Sequence, residues 1–125
     1  MKIAVITEDG RTISRNYTRA PYCLVLTVEN GVITGRELRE MPGRDPSAVP
    51  AADLGLDAAS HSRQMAAARA IADCQALLCG GMVRGAYESL RWLGVRPLLT
   101  DRRDIDAAVR AYLAGELADR VERLN

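Results

Sequence analysis

The sequence predicts an α/β fold: a five-stranded mixed sheet flanked by three helices. Three features carry this expectation. The chain opens on a β-branched run, "KIAVITE", stopped by Asp9-Gly10. Asn30-Gly31 then separates two further strand-like segments. Beyond residue 60, helical stripes alternate with the short apolar runs "ALLCG" and "RPLLT".

Each element has its own signal. Residues 22–29 ("YCLVLTVE") and 32–40 ("VITGRELRE") flank a dipeptide that tolerates the positive φ of a two-residue turn, so they pair as a hairpin. The second segment alternates polar and apolar residues, as an edge strand does. Residues 41–60 hold Pro42, Pro46 and Pro50 without periodicity and read as a mobile loop. From Ser62, Met65, Ala68, Ile71 and Ala72 recur at helical spacing. "ALLCG" (76–80) suits a strand buried on both faces. Ala86, Leu90 and Leu93 make a second helix, closed by Gly94-Val95. "RPLLT" (96–100) is the last strand, and Ile105, Ala108, Val109, Tyr112 and Leu113 mark a third helix. After Gly115, residues 116–125 read as a polar helical tail.

The order β-β-β-α-β-α-β-α puts the first strand at the centre, with the hairpin on one side and the two later strands on the other. The connection between those later strands is expected to be a right-handed parallel crossover. This is also the ribonuclease H-like arrangement of strands. Nuclease chemistry would need carboxylates converging on metal ions from several strand ends, and "ALLCGG" supplies none. Hydrolysis by serine or cysteine finds no support either, because His61 is the single histidine and no GxSxG elbow is present.

Composition bounds the remaining functions. A chain of 125 residues fits one domain, 1–125, and is long enough to bury a core without a metal or disulfide. The core must rest on aliphatic residues, since Phe is absent and aromatics are 4% of the chain. With 17 basic and 16 acidic residues the net charge is +1, which argues against nucleic acid or an anionic membrane as partner. No apolar run reaches membrane-spanning length, and no signal peptide is evident. Three cysteines without CxxC spacing read as reduced thiols of a cytoplasmic protein.

The candidate site is "CGGMVRG". Adjacent parallel strand ends open a crevice where connections diverge, and this glycine turn leads from such an end into a helix. First-turn amides and the helix dipole favour an anion there, with Arg84 as a counter-charge. The stretch is neither a P-loop nor a GxGxxG fingerprint. Ligand binding and tight packing both remain open as reasons for Gly80, Gly81 and Gly85. His61, Cys79 and Met82 are too few soft or imidazole donors to hold a cluster unaided, which leaves a shared or loosely held cluster open; His61 is the candidate metal ligand, its alternative a surface or capping role.

"MKIAVITEDGRTISRNYTRAPYCLVLTVENG", "ADCQALLCGGMVRGAYESLRWLGVRPLLT" and "IDAAVRAYLAGEL" resemble the dinitrogenase iron–molybdenum cofactor biosynthesis family. That family includes NifX-like accessory proteins and the C-terminal domain of NifB-like proteins. The resemblance spans nearly the whole chain apart from the long loop and the polar tail. It implies a ribonuclease H-like fold without nuclease activity, so a non-catalytic protein. In nitrogen-fixing members it also implies binding of iron–molybdenum cofactor or an iron–sulfur precursor cluster, with nitrogenase-assembly proteins as partners. A binding wall of Asn16, Tyr17 and Thr18 facing Cys79, Gly80, Gly81, Met82, Arg84 and Gly85 follows from that likeness and from the predicted crevice. One departure is plain: the family's usual His-Phe-Gly is Asn16-Tyr17-Thr18 here, and its histidine-rich run before the first helix is reduced to His61. The alternative to a cluster carrier is a regulatory or interaction module that binds a small anion or a protein.

Overall fold

The sheet runs β3-β2-β1-β4-β5 in a computed structural model that describes residues 1–42 and 58–124. Its strands are β1 (Lys2–Thr7), β2 (Tyr22–Glu29), β3 (Val32–Glu40), β4 (Ala76–Cys79) and β5 (Arg96–Leu99). The helices are α1 (Ala58–Ala70), α2 (Arg84–Trp92) and α3 (Ile105–Leu113). β1 is central, as the sequence predicts: it pairs antiparallel with β2 (Val5 opposite Leu24) and parallel with β4 (Val5 opposite Leu78). At the hairpin, Asn30 and Gly31 have φ of 53° and 77°, the doubly left-handed turn whose twist matches that of its strands.

The sheet is covered on both faces. Ala4, Ile6, Val25, Leu77 and Leu99 pack with Ile71 beside α1 and with Ala86 and Leu90 of α2. Ile3, Val5, Leu26, Leu78 and Leu98 pack on the other face with Ile105, Ala108 and Val109 of α3. Every residue of β4 is buried, which is why its four residues read as one continuous apolar run rather than an alternating one. α3 is capped by Asp104, whose carboxylate accepts from Ala107 N–H at 2.8 Å. α2 closes as expected from Gly94-Val95, with Val95 N–H returning to Leu90 O at 2.9 Å.

Two expectations need correction. α1 begins at Ala58, ahead of the Ser62 inferred from periodicity, so its start cuts into the expected loop. Of the 41–60 stretch read as mobile, residues 43–57 lie outside the described residues, while Met41 is buried and its N–H donates to Pro21 O. Residues 116–120 are not the predicted helical tail. α3 is closed when Glu116 N–H returns to Ala111 O, and the chain is then drawn back onto the sheet. Arg120 N–H donates to Leu99 O at 2.7 Å, and the Asp119 carboxylate accepts from Leu99 N–H at 3.1 Å. The helical spacing of the tail loses to these bonds with a strand edge that would otherwise leave polar groups unpaired. A single 3-10 turn, Val121–Arg123, follows. No helix among the described residues is long and apolar enough to cross a membrane.

Candidate functional site

The carboxyl ends of β1 and β4 lie side by side, and the loop after β1 folds over them. Asp9 builds that loop. Its carboxylate accepts from the backbone N–H groups of Arg11 and Thr12, each at 2.8 Å, and from Thr12 Oγ1. Those donors, with the Thr12 amide foremost, hold the Asp9 carboxyl well below the usual carboxylate range. The chain then runs back along β1 and across to α3: Ser14 N–H bonds to Ile6 O, and Ile13 N–H to Arg103 O.

Two backbone hydrogen bonds clasp this loop to the glycine turn. Gly80 N–H donates to Ser14 O at 2.8 Å, and Tyr17 N–H donates to Gly81 O at 3.0 Å. The two predicted walls, Asn16–Thr18 and Gly80–Gly85, are therefore neighbours. They meet directly, however, instead of leaving a gap at Gly80. A Cβ on Gly80 would lie 2.8 Å from Arg15 Cα and 3.2 Å from Ser14 O. This glycine is required by the close approach of the protein's own backbone, so packing rather than ligand explains Gly80.

The nine predicted contact residues divide by exposure. Cys79, Gly80, Met82, Gly85 and Tyr17 are buried; Gly81 is half-buried; Asn16, Thr18 and Arg84 are exposed. Burial pushes the Cys79 thiol up to about 12, so it stays protonated and within the α1–α2 side of the core. Met82 is sealed as well, and its backbone pairs with Leu124 of the tail. Neither sulfur is presented to a ligand from outside. Asn16 has a local task, its Oδ1 accepting from Thr18 N–H at 3.1 Å in an Asx turn. His61 falls in the first turn of α1, and its side chain lies outside the described residues. Among the described residues no group of three or more His, Cys, Asp or Glu side chains is arranged around a metal position.

What remains accessible is of mixed charge, with arginines nearest the start of α2. The N-cap of α2 is Val83, whose side chain makes no cap, so the first-turn amides get no acceptor from it. Arg84 in that turn and Arg15 on the facing loop form no ion pair among the described residues, whereas Arg36, Arg39 and Arg120 all do. A cleft of about 520 Å³ opens beside the clasp, lined by Glu8, Asp9 and residues 12–15 of the loop and by Arg103. None of the predicted contact residues lines it. Arg15 and Arg103 were missed because nothing local marks them; only folding brings Arg103, from the turn before α3, against the loop after β1. Leu124 was missed for the same reason.

The family's sequence profile, that of the dinitrogenase iron–molybdenum cofactor family, matches residues 1–115. The chain belongs to that family. The match ends at Gly115, so the tail that pairs with Met82 lies beyond the stretch matched to the family. Among curated proteins, none matches the chain. Among solved structures it is similar to PH0822, with a TM-score of 0.71 at 21% identity over 95% of this chain and 96% of that one. It is also similar to the apo form of the orange protein from Desulfovibrio gigas, with a TM-score of 0.67 at 20% identity, covering 94% and 91% of the two chains. The mj0327 protein of Methanocaldococcus jannaschii has a TM-score of 0.65 at 14% identity, covering 94% and 92%. At these identities the likeness establishes a shared fold.

Proposed function

We propose that this protein is a non-catalytic carrier of an anionic metal–sulfur cluster, of the iron–molybdenum cofactor type or a precursor of it. It would work in the cytoplasm alongside nitrogenase-assembly proteins. The cluster is cargo, met at the rim where the Asn16–Thr18 loop borders the start of α2. The observation that carries the reading is the clasp. The Ser14–Gly80 and Tyr17–Gly81 hydrogen bonds hold that loop beside the α2 N-terminus, whose N-cap side chain makes no cap, and among the described residues Arg15 and Arg84 form no ion pair. Amides, the helix dipole and guanidinium groups favour negative charge without a covalent ligand. Family membership supplies the cluster as the ligand class.

The donor set limits how tightly a cluster is held. The thiols are buried, and Asn16 offers an amide already engaged by Thr18. Charge and backbone amides therefore do the holding, and exchange is fast. The same facts favour, as a second reading, a module that binds a small oxyanion and no cluster. Anaerobic titration separates them, with isolated iron–molybdenum cofactor in one arm and inorganic phosphate in the other. The carrier reading expects saturable cofactor binding, weakened about five- to tenfold in Arg84→Ala by loss of one charge-assisted contact. Asn16→His should tighten cofactor and leave phosphate unchanged. Phosphate binding without cofactor binding moves the assignment to the second reading, and binding of neither overturns both.

A further inference from the structure

We propose that β3 is a self-association edge: two copies of the chain pair antiparallel through Arg36–Glu40, with Leu38 opposite the partner's Leu38. β3 is the outermost strand of the sheet, and its outer side has no neighbour among the described residues. The opposite edge is treated differently, since at β5 the tail satisfies both the N–H and the C=O of Leu99. An uncovered edge strand offers a row of backbone donors and acceptors to another strand. What it accepts is decided by the side chains along it.

The stretch Arg36-Glu37-Leu38-Arg39-Glu40 is its own charge complement when run backwards. In an antiparallel pair centred on Leu38, Glu37 lies opposite the partner's Arg39 and Arg36 opposite the partner's Glu40, each twice by symmetry. Opposite charges at directly facing positions stabilise a strand pair, and like charges destabilise it. Other registers fail this rule. A slide of two residues places Glu37 on Glu37 in one direction and Arg39 on Arg39 in the other. A slide of one residue turns side chains to the wrong face of the continuous sheet.

The protein holds these groups ready. Arg36 makes a bidentate contact with Asp106 of α3 at 2.8 and 2.9 Å, which fixes it on that face. Arg39 is fixed on the other face by Asp73 at 2.7 and 2.8 Å, by Ala70 O and by Glu37 of its own strand, so the Glu37 carboxylate is shared between that Arg39 and the partner's Arg39. Leu38, between them, is 55% exposed. The one irregularity in the β2–β3 ladder falls between Thr27 and Val28, outside the proposed segment. Residues 35–40 therefore form a regular strand, and both charge pairs and the leucine contact form in one docking geometry.

The test uses the full chain. Sedimentation across a concentration series should show the mass rising towards that of a dimer. Glu40→Arg and Arg36→Glu should each weaken self-association about tenfold or more, because each sets like charges face to face twice. Mixing the two variants should restore association as a heterodimer, since Arg36 then faces glutamate and the new arginine faces the new glutamate. Leu38→Cys adds a readout of register. Directly facing residues of an antiparallel pair have Cα atoms about 4.5–5.5 Å apart, inside the range of about 4.4–6.8 Å that a disulfide spans, and the native cysteines are buried. Mild oxidation should give a covalent dimer, and Thr34→Cys should not. A parent monomeric at every concentration, with no Leu38→Cys cross-link, overturns the proposal. So does self-association unchanged in both charge variants.

Discussion

Gly80→Ala is the substitution that tests the clasp most directly. The added Cβ would sit 2.8 Å from Arg15 Cα and 3.2 Å from Ser14 O, both backbone atoms with no rotamer to yield. Relief requires the loop over β1 to move outwards as a unit. Overpacking of this kind costs about 1–3 kcal/mol. The same movement stretches Gly80 N–H to Ser14 O and Tyr17 N–H to Gly81 O, each contributing about 1 kcal/mol. Allowing for partial relaxation, the loss should be about 2–4 kcal/mol, a large share of the roughly 5–15 kcal/mol available to a domain. Urea unfolding followed by circular dichroism measures it, with thermal unfolding as a second readout. A chain of this length loses about 3–5 °C per kcal/mol, so Tm should fall by roughly 6–20 °C. Gly35→Ala is the control, since its Cβ would meet Thr27 at an ordinary 3.6 Å. A loss below about 0.5 kcal/mol for Gly80→Ala, no larger than that of the control, would refute the reasoning.

Two further predictions concern stability. Arg39 holds the Asp73 carboxyl well below the ordinary carboxylate range through direct hydrogen bonds, and Arg36 lowers Asp106 likewise. The stabilisation is present above the unfolded carboxylate pKa, and it is lost as acid protonates the unfolded chain first. Urea midpoints should drop between about pH 5 and pH 3, and Asp73→Asn should show a shallower drop from a lower starting point. Equal slopes for parent and variant would count against the pair. Separately, Asp119→Ala leaves the buried Leu99 N–H without its acceptor and should cost about 1–2 kcal/mol, with Asp119→Asn recovering most of it. A variant as stable as the parent would show that the tail is not docked through this bond.

Much of this protein was legible in its sequence because the signals are local. β-branched runs, the Asn30-Gly31 turn and the apolar stripes of α2 and α3 act through backbone geometry and burial within a few residues. With the handedness of crossovers they determine the sheet order, β1 at its centre, and the end of the sheet where a site would form. The family pattern in "CGGMVRGAYESL" is likewise contiguous. Tertiary structure alone decided what that glycine turn touches. Gly80 meets Arg15 because a loop sixty-odd positions earlier in the chain folds over it, a contact no spacing rule encodes. Cys79 and Met82 look like soft ligands in sequence, but two-sided burial of β4 and the return of the tail remove them from solvent. That tail has helical spacing, yet hydrogen bonding to the β5 edge draws residues 119–120 against the sheet. In the tail, long-range backbone contacts satisfying polar groups that would otherwise be buried unpaired outweigh the local preference.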